Sequence, residues 1–358
     1  MWNIKLDGAF KDFGLQQSQY DTCVYFKIIN GNILITAVYV DDLLIFTNNT
    51  IMLNNVKKQL HEQFKMKELG EVKHCLGIRI SKSVDKITMD QELYIENILD
   101  RFGMNDSKPT KTVMNSSETL SKSDCPQTSD ELEKMKGIPY QEAIGTLMYL
   151  SQCTQPDISF AVNKLSRYNA NPGLKHWQAV KHVLRYLRGT SNYKLEFNKN
   201  EKAEIICYTD ADWAGEADDR KSTTGFVFVL KGGAISWCSK KQPTIALSTC
   251  EAEYLALSHA MQEAVWWNGM KSQLGFQESL LIFCDNQSTI VLGKNTGYNP
   301  RTKHIDIRHH FIQDILRAGH IKLKYISTNE QVADALTKTL DHTKLSKFRE
   351  SMGVKIAD

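Results

Sequence analysis

The chain has 358 residues, of which 42% are hydrophobic and 24% are charged. This length predicts about two domains, and the composition is sufficient for packed cores. The net charge of +3 is too small to indicate nucleic-acid binding by itself. No apolar run is long enough to cross a bilayer, and the N-terminus lacks the apolar core of a secretory signal, so no membrane partner is expected.

The 8 cysteines are scattered along the chain and include no Cys-x-x-Cys pair. Their spacing is not that of a zinc site. We therefore expect reduced, mostly buried thiols in an intracellular, cytoplasmic protein.

The first 50 residues predict a short helix or loop followed by two hairpins. A strand near 23–29 ends at the turn signal Asn30-Gly31-Asn32. Two apolar runs, 33–40 and 43–46, then flank Asp41 and Asp42. This pattern predicts a hairpin that carries two carboxylates at its tip.

The next region predicts a helix, a strand pair and a second helix. The first helix covers 51–64, and the strands lie near 76–80 and 86–89. Asp90 is expected to cap a helix that runs to Phe102. From 109 to 139 the chain is rich in Ser, Thr, Lys and Glu, which predicts a flexible linker or a surface loop.

Residues 140–200 predict a helical segment with a basic face. On a helix near 176–188, apolar side chains recur at helical spacing, while Lys181, Arg185 and Arg188 recur on another face. A solvated basic face is the usual explanation of such a pattern. Because the segment lies between the hairpin above and the acidic region below, we favour contacts of these three side chains with phosphates.

The residues after 200 predict a mixed sheet with helices on its faces. Short loops join its first three strands, which predicts antiparallel pairing, whereas a long helix before the fourth predicts a parallel crossover. The fold class is therefore α/β. The five strands are expected at residues 205–210, 225–230, 234–239, 280–285 and 321–327.

Four acidic residues of this region occupy positions where they could converge. Asp210 ends the first strand and Asp285 ends the fourth. Glu253 lies on the long helix, and Asp334 lies on a late helix. Four carboxylates together suggest a cage for hard divalent cations, Mg²⁺ first and Mn²⁺ as the alternative. Taken alone, Asp210 and its neighbour Asp212 are more typical of turn or cap residues.

Two glutamates near the start of the long helix compete for the site. The stretch Ser248-Thr249-Cys250-Glu251 fits a capping box, in which Glu251 reaches back to the Ser248 amide. That role is structural, and it leaves Glu253 as the candidate ligand.

Several motifs resemble those of copia-type retrotransposon Pol polyproteins. Tyr39-Val40-Asp41-Asp42 is similar to the palm signature of reverse transcriptases, where the aspartates at the hairpin turn help to hold catalytic Mg²⁺. Cys75-Leu76-Gly77-Ile78 looks like the primer-grip region, which implies contact of Leu76 and Gly77 with the primer. The order of elements after residue 205 matches the RNase H fold, so the resemblance covers nearly the whole chain.

The resemblance implies an α+β palm and thumb remnant followed by an RNase H-like sheet. The expected regions are a partial palm and thumb (1–108), a linker (109–139), a helical connection (140–200), an RNase H-like domain (201–340) and a C-terminal helix or tail (341–358). Reverse transcriptases need a third carboxylate from an earlier strand, which is expected upstream of residue 1. The N-terminal part of Pol is thus an expected partner, and the chain alone is not expected to polymerise DNA.

The resemblance also implies the chemistry of the four later carboxylates. They would hold two Mg²⁺ ions and hydrolyse the RNA strand of an RNA–DNA hybrid, with template and primer as further nucleic-acid partners. Two alternatives stay open: a DNA nuclease or transposase on the same fold, and an inactive nucleic-acid-binding remnant. A virus-like particle or the nucleus are alternative compartments for such a protein.

Two further observations concern histidine residues. Many ribonucleases H place an assisting His in the loop before the last Asp, and residues 326–329 contain none. In the stretch 303–310, Asp306 and His310 lie one helical turn apart, which would suit a metal, yet no Cys or second such pair accompanies them. A polar helix face with one buried His is the simpler explanation, and substrate contact is the third option.

Overall fold

The structure is a computed structural model that describes residues 2–276, 279–294 and 306–356, apart from the side chains of 306 and 307. The described chain forms two compact units. The first contains residues up to Val72 and a segment that begins at Glu263. The second contains residues from Lys73 to Gln262 and those from Ser279 onward.

The first unit contains a four-stranded antiparallel sheet and two helices. Its elements are α1 (Trp2–Asp12), β1 (Gln16–Gln17), β2 (Val24–Ile29), β3 (Asn32–Tyr39), β4 (Asp42–Thr47) and α2 (Thr50–Gln63). The strands pair in chain order. Phe10 of α1 and Leu60 of α2 pack in one core with Leu34 of β3, because helical and strand periods bring these apolar residues to the same side.

Both predicted hairpins of this unit are present. Asn30 and Gly31 have φ of 51° and 78°, which the turn between β2 and β3 requires and which Asn and Gly tolerate best. In the second hairpin Tyr39 pairs with Asp42 across a two-residue loop. The helix predicted at 51–64 is also present, and Asn49 caps it by accepting hydrogen bonds from two amides of its first turn.

The second unit begins with a small sheet and a cluster of helices. These elements are β5 (His74–Cys75), β6 (Ile78–Lys82), β7 (Lys86–Asp90), α3 (Glu92–Arg101), α4 (Ser129–Met135), α5 (Tyr140–Cys153), α6 (Ser159–Ser166), α7 (Leu174–Thr190) and β8 (Tyr193–Asn198). Val180, Leu184 and Leu187 of α7 are fully buried, as their spacing predicted. The expected cap of α3 is one residue off, because Asp90 ends β7 and Gln91 occupies the cap position.

The segment 109–139, predicted as a linker or surface loop, contributes side chains to this helical core. Val113, Met114 and Leu120 are buried in the same cluster as Leu147 and Val183. A segment that buries three apolar side chains is held in place by their removal from water. The division of the chain into five functional regions stays a prediction.

The mixed five-stranded sheet of the second unit has the predicted strand directions. The sheet and its helices are β9 (Ile206–Asp212), β10 (Thr223–Leu230), β11 (Gly233–Lys241), α8 (Thr249–Gln273), β12 (Leu280–Cys284), α9 (Gln287–Lys294), α10 (Asp306–Ala318) and β13 (Ile321–Tyr325). The part of α8 that begins at Glu263 belongs to the first unit. The order is β11-β10-β9-β12-β13, with antiparallel pairs as far as β9 and parallel pairs beyond it. The α/β fold class is thereby confirmed.

The C-terminal residues follow the sequence prediction in part. Asp334 lies on a late helix, which is the 3-10 helix Val332–Leu336. The segment expected as a C-terminal helix or tail contains α11 (His342–Ser351) and also β14 (Val354–Ile356), which pairs with β8 to extend the small sheet to the order β14-β8-β7-β6-β5. In the described residues there is no helix with the length and apolarity that a membrane span requires.

All eight cysteines belong to the described chain, and none of them forms a disulfide. Only Cys207 and Cys284 are buried, whereas Cys23 is exposed and the other five are intermediate. The prediction of mostly buried thiols is therefore wrong for most of them.

Candidate active site

Asp210 lies on β9, at the centre of the mixed sheet, and is 2% exposed. Its partner on β10 is Gly225. A Cβ atom at Gly225 would lie 2.6 Å from Cγ2 of Thr337 and 2.9 Å from Cβ of Leu336. The glycine therefore allows the segment after Gln331 to approach the sheet beside Asp210. There the Thr337 hydroxyl donates a hydrogen bond to the Asp210 carboxylate.

Glu253 is placed against the same part of the sheet by small side chains. It lies in the second turn of α8 and is 4% exposed. Four alanines from β9, the loop before α8 and α8 itself form a cluster that permits a close helix approach: Ala211, Ala246, Ala252 and Ala256. The Ala211 amide donates a hydrogen bond to the Glu253 carboxylate. The Gln242 amide group anchors this end of α8 by donating to the Ala252 carbonyl at 2.9 Å.

Glu251 has the local role that its sequence context predicted. Its carboxylate accepts a hydrogen bond of 2.7 Å from the Leu247 amide, and its own amide donates to Oγ of Ser248 at 3.2 Å. The carboxylate thus serves the start of the helix, although the donor is one residue earlier than expected.

Asp285 follows β12 directly, and its carboxylate accepts a hydrogen bond of 2.7 Å from Oγ1 of Thr328. Its neighbour Cys284 is fully buried. Ligand atoms of Glu253, Cys284 and Asp285 all lie within 4.8 Å of one another. No other group of three or more His, Cys, Asp or Glu residues in the described chain comes this close.

Asp334 completes the pocket and is paired with a lysine. The side chain of Gln331 donates to the Thr209 carbonyl at 2.9 Å and thereby holds the 3-10 segment against β9. Asp334 is 1% exposed, and its Oδ1 lies 2.8 Å from Nζ of Lys338. The same ammonium group lies 3.6 Å from Oδ2 of Asp210. Lys338 is thus shared by two of the four carboxylates.

The pKa shifts reflect this crowding. Burial and then the negative charge of Asp210 raise the pKa of Asp334 to about 7. The same two causes raise the pKa of Glu253 well above its usual value. For Asp285 burial and Asp210 also raise the pKa, while the Thr328 hydrogen bond opposes the shift. The pKa of Lys338 is raised, because the attraction of Asp210 and Asp334 outweighs its burial.

The four carboxylates predicted from the sequence therefore meet in one pocket of the second unit. Each of the other three feels the charge of Asp210 directly. Asp212, the last residue of β9, pairs with Thr223 of β10, and its carboxylate lies beside Gly215. Burial raises its pKa, and the charges of Lys338 and Asp210 also act on it. It is therefore a strand residue and not the turn or cap residue that is typical of such a position.

Sequence reasoning missed the side chains that hold this pocket together. Lys338, Thr337 and Thr328 each contact one or two of the carboxylates. The spacing of Asp334 and Lys338, four residues apart with opposite charge, was the one available signal.

The hairpin carboxylates belong to the first unit. Asp41 is in the loop and Asp42 is the first residue of β4, and both are exposed. Val40 beside them has φ of 51°, a conformation that is uncommon for a β-branched residue. Its carbonyl accepts a hydrogen bond of 3.1 Å from the Trp2 indole, which ties α1 to the hairpin tip.

The predicted nucleic-acid contacts lie at partly exposed positions of the second unit. Leu76 and Gly77 form the turn between β5 and β6, and the Tyr149 hydroxyl donates to the Leu76 carbonyl. Lys181, Arg185 and Arg188 of α7 are all of intermediate exposure. Arg185 donates from Nε to the Lys108 carbonyl at 2.6 Å, so part of its guanidinium serves the fold.

The histidine-rich stretch is only partly described. The side chain of Asp306 lies outside the described residues, so its pairing with His310 stays a prediction. His309 is 5% exposed, and its ring lies 3.2 Å from the Gln313 side chain. Within the described part of the stretch, His309 is the buried His that the simpler explanation expected.

The pocket has the donor set that Mg²⁺ takes. Its carboxylate oxygens are hard ligands, and Oε2 of Glu253 is buried without a hydrogen-bond partner among the described residues. A buried carboxylate in that state takes up a proton, as the raised pKa of Glu253 indicates, or binds a cation, because an uncompensated buried charge is costly. The Lys338 ammonium supplies one positive charge to two of the four groups, which leaves room for further cationic charge.

Comparisons with known proteins identify the family to which this chain is similar. A family model described as reverse transcriptase (RNA-dependent DNA polymerase) matches residues 1–116. The Pol polyprotein from transposon TNT 1-94 of Nicotiana tabacum is 42% identical over 99% of this chain and 27% of its own length. The polyprotein from transposon RE1 of Arabidopsis thaliana is 35% identical over 99% of this chain and 24% of its own.

Among solved structures, a foamy viral protease–reverse transcriptase in complex with dsDNA aligns with a TM-score of 0.44 and 15% identity. The alignment covers 82% of this chain and 55% of the other.

The strand order and the carboxylates beside its central strand define an RNase H-like domain. The chain belongs to the copia-type retrotransposon Pol polyproteins, and it carries a reverse-transcriptase segment before that domain. It spans about a quarter of the length of the relatives from TNT 1-94 and RE1.

The raised pKa of Asp334 predicts that the metal-free protein loses stability as the pH rises. The folded-state pKa is about 7, against about 4 for an unfolded Asp, so between these values the folded state holds a proton that the unfolded state has released. We expect the Tm in EDTA to fall from about pH 4 to about pH 7 and Mg²⁺ to restore it most at the upper end. Asp334→Asn is expected to flatten this slope, and an unchanged slope in that variant would contradict the assignment.

The close contact at Gly225 predicts a cost for Gly225→Ala. The added methyl group must displace Thr337 and Leu336, and such overpacking typically costs about 1–3 kcal/mol. We expect a lower urea midpoint for this variant. Gly145→Ala, at a helical glycine with open space around its Cβ position, is the matched control and is expected to be neutral or stabilising. Equal stability of both variants would show that the segment tolerates displacement.

Proposed function

We propose that the pocket of the second unit hydrolyses the RNA strand of RNA–DNA hybrids with the help of two Mg²⁺ ions. The observation that carries the proposal is the meeting of four carboxylates from β9, α8, the end of β12 and the 3-10 segment. Ionised carboxylates repel one another at this range, so divalent cations would stabilise the ionised form of a pocket that collects four of them.

Each residue has a defined part in this proposal. Asp210, Glu253, Asp285 and Asp334 would hold the two ions. The Thr337 and Thr328 hydroxyls fix the orientations of Asp210 and Asp285 by hydrogen bonds. Bound divalent ions supply Lewis acidity and lower the pKa of water, which is the chemistry that phosphodiester hydrolysis needs.

Lys338 complements the carboxylates before a metal enters. Its ammonium lies between Asp210 and Asp334 and attracts both carboxylates, so these groups are kept close to each other. A ligand set whose shape is preserved in this way needs less rearrangement when the metal binds. Mn²⁺, which also takes oxygen ligands, is the alternative cofactor.

The substrate class follows from the family and from the basic helix. Lys181 and Arg188 of α7 are partly exposed and available to neutralise phosphates of a bound hybrid. Leu76 and Gly77, at the turn between β5 and β6, are the proposed contacts with the primer strand. We place this activity inside the cell, in the cytoplasm, with a virus-like particle or the nucleus as alternatives.

The decisive experiment is Mg²⁺-dependent cleavage of a labelled RNA–DNA hybrid. Asp210→Asn is expected to reduce the rate by at least about 10²-fold, because metal ions supply several kcal/mol of transition-state stabilisation. Asp314→Asn makes the same chemical change at a largely exposed position of α10 and is expected to leave the rate unchanged. Equal cutting by wild type and Asp210→Asn would remove the assignment.

The same assay separates the two alternatives. Cleavage of duplex DNA without cleavage of the hybrid would identify a DNA nuclease or transposase on this fold. Binding of the hybrid without any cut in Mg²⁺ or Mn²⁺ would identify an inactive remnant.

The polymerase site is proposed to be incomplete in this chain. Asp41 and Asp42 offer two exposed carboxylates at a hairpin tip, and within the described residues neither belongs to a group of three close ligands. We expect no nucleotide incorporation on a primed RNA template, while the same preparation cleaves a hybrid. Incorporation above that of an Asp41→Asn, Asp42→Asn double variant would contradict this expectation. The N-terminal part of Pol is the proposed partner that completes the site.

A further inference from the structure

A thiol lies among the carboxylates of the pocket. The sulfur of Cys284 and carboxylate oxygens of Glu253 and Asp285 are mutually within 4.8 Å. Hydrolysis of a phosphodiester with hard cations makes no use of sulfur, because Mg²⁺ prefers oxygen ligands. The thiol is therefore a donor group that the proposed function leaves unexplained.

The environment of these three residues is that of a built site. Glu253 is 4% exposed, and its Oε2 has no hydrogen-bond partner within the described residues. Cys284 is fully buried, and the Asn286 amide donates a hydrogen bond to its sulfur at 3.4 Å. Burial and then the negative charge of Glu253 raise the pKa of the Cys284 thiol, so a cation that binds the sulfur must displace its proton. A buried, unpartnered oxygen beside such a sulfur is an arrangement that a cation satisfies.

The mixed donor set selects a particular class of cation. One thiolate and two carboxylates suit a borderline or soft divalent ion that accepts both sulfur and oxygen. In tetrahedral coordination, with bonds of about 2.3 Å to sulfur and about 2.1 Å to oxygen, the sulfur and each carboxylate oxygen would lie about 3.6 Å apart. The ligand atoms, now within 4.8 Å of one another, would have to approach by roughly 1 Å, which small side-chain rotations allow. A water molecule would take the fourth position.

We propose that Glu253, Cys284 and Asp285 form a binding site for a thiophilic divalent cation such as Zn²⁺ or Cd²⁺. Binding releases the thiol proton to solvent and forms one metal–sulfur bond. Two of the three ligands also belong to the proposed Mg²⁺ set, so the soft cation and Mg²⁺ exclude each other. The site rests on the ligand geometry alone and does not require that the pocket cleaves nucleic acid.

The experiment is a titration of the metal-free, full chain with Cd²⁺. The near-ultraviolet charge-transfer band of the cadmium–thiolate bond reports the sulfur ligand directly, and calorimetry with Zn²⁺ gives the affinity. In wild type we expect one equivalent of high-affinity thiolate-bound Cd²⁺. Cys284→Ser is expected to lose this equivalent, and excess Mg²⁺ is expected to shift the wild-type curve to higher Cd²⁺ concentration.

Two control variants compare the Cys284 thiol with an exposed thiol and with another buried thiol. Cys23→Ser removes an exposed thiol, and Cys207→Ser removes a buried thiol on the neighbouring strand β9. Both are expected to retain the tight equivalent. If Cys284→Ser titrates like wild type, the site does not exist.

A further variant keeps the test valid if Cys284→Ser fails to fold. Glu253→Gln retains the thiol and removes one charged ligand, so it is expected to weaken Cd²⁺ binding at least tenfold while the band still forms. An unchanged affinity in a folded Glu253→Gln, judged by its circular dichroism, would overturn the proposed ligand set. Cadmium binding is measured without substrate, so a protein that binds Cd²⁺ but cuts no hybrid would refute the nuclease proposal alone.

Discussion

The structure of the second unit depends on the balance between repulsion and neutralisation in one buried pocket. Asp210 raises the pKa of each neighbouring carboxyl group, which means that the ionised forms repel one another at close range. Lys338 opposes this repulsion at two of the groups. One ammonium group cannot neutralise four carboxylates, and the raised pKa values of Glu253 and Asp334 show that proton uptake relieves the remaining repulsion when no cation is bound.

Small side chains and hydroxyl groups make this convergence sterically feasible. Gly225 gives the 3-10 segment access to β10, and the alanine cluster brings α8 close to β9. The Thr337 and Thr328 hydroxyls then hold two of the carboxylates by hydrogen bonds. The acidic residues are thus only part of the site, and a chain that kept them but lost the small residues around them would not assemble it.

The family assignment and the fold both describe a reverse-transcriptase segment followed by an RNase H-like sheet. The reverse-transcriptase match covers residues 1–116, and the RNase H-like sheet is formed by later residues. The first unit presents two exposed carboxylates on a hairpin, whereas the second encloses four in a pocket. This contrast is the observation on which the proposed nuclease site and the proposed incompleteness of the polymerase site rest. The buried thiol of Cys284 adds a donor that neither activity accounts for.

The sequence by itself determined the strands of the mixed sheet, their directions and the four carboxylates, because alternation, loop length and strand-end polarity are local properties. It placed Asp334 on a late helix without indicating that this helix is a short 3-10 turn, and it treated 109–139 as a flexible linker or surface loop, although Leu120 is buried there. Only the tertiary structure decided that Lys338 bridges Asp210 and Asp334, that Gly225 makes room for Thr337 and that Cys284 faces the ligands. These contacts join residues that are up to about 130 positions apart, and no local pattern encodes which side chains burial will bring within a few ångströms of one another.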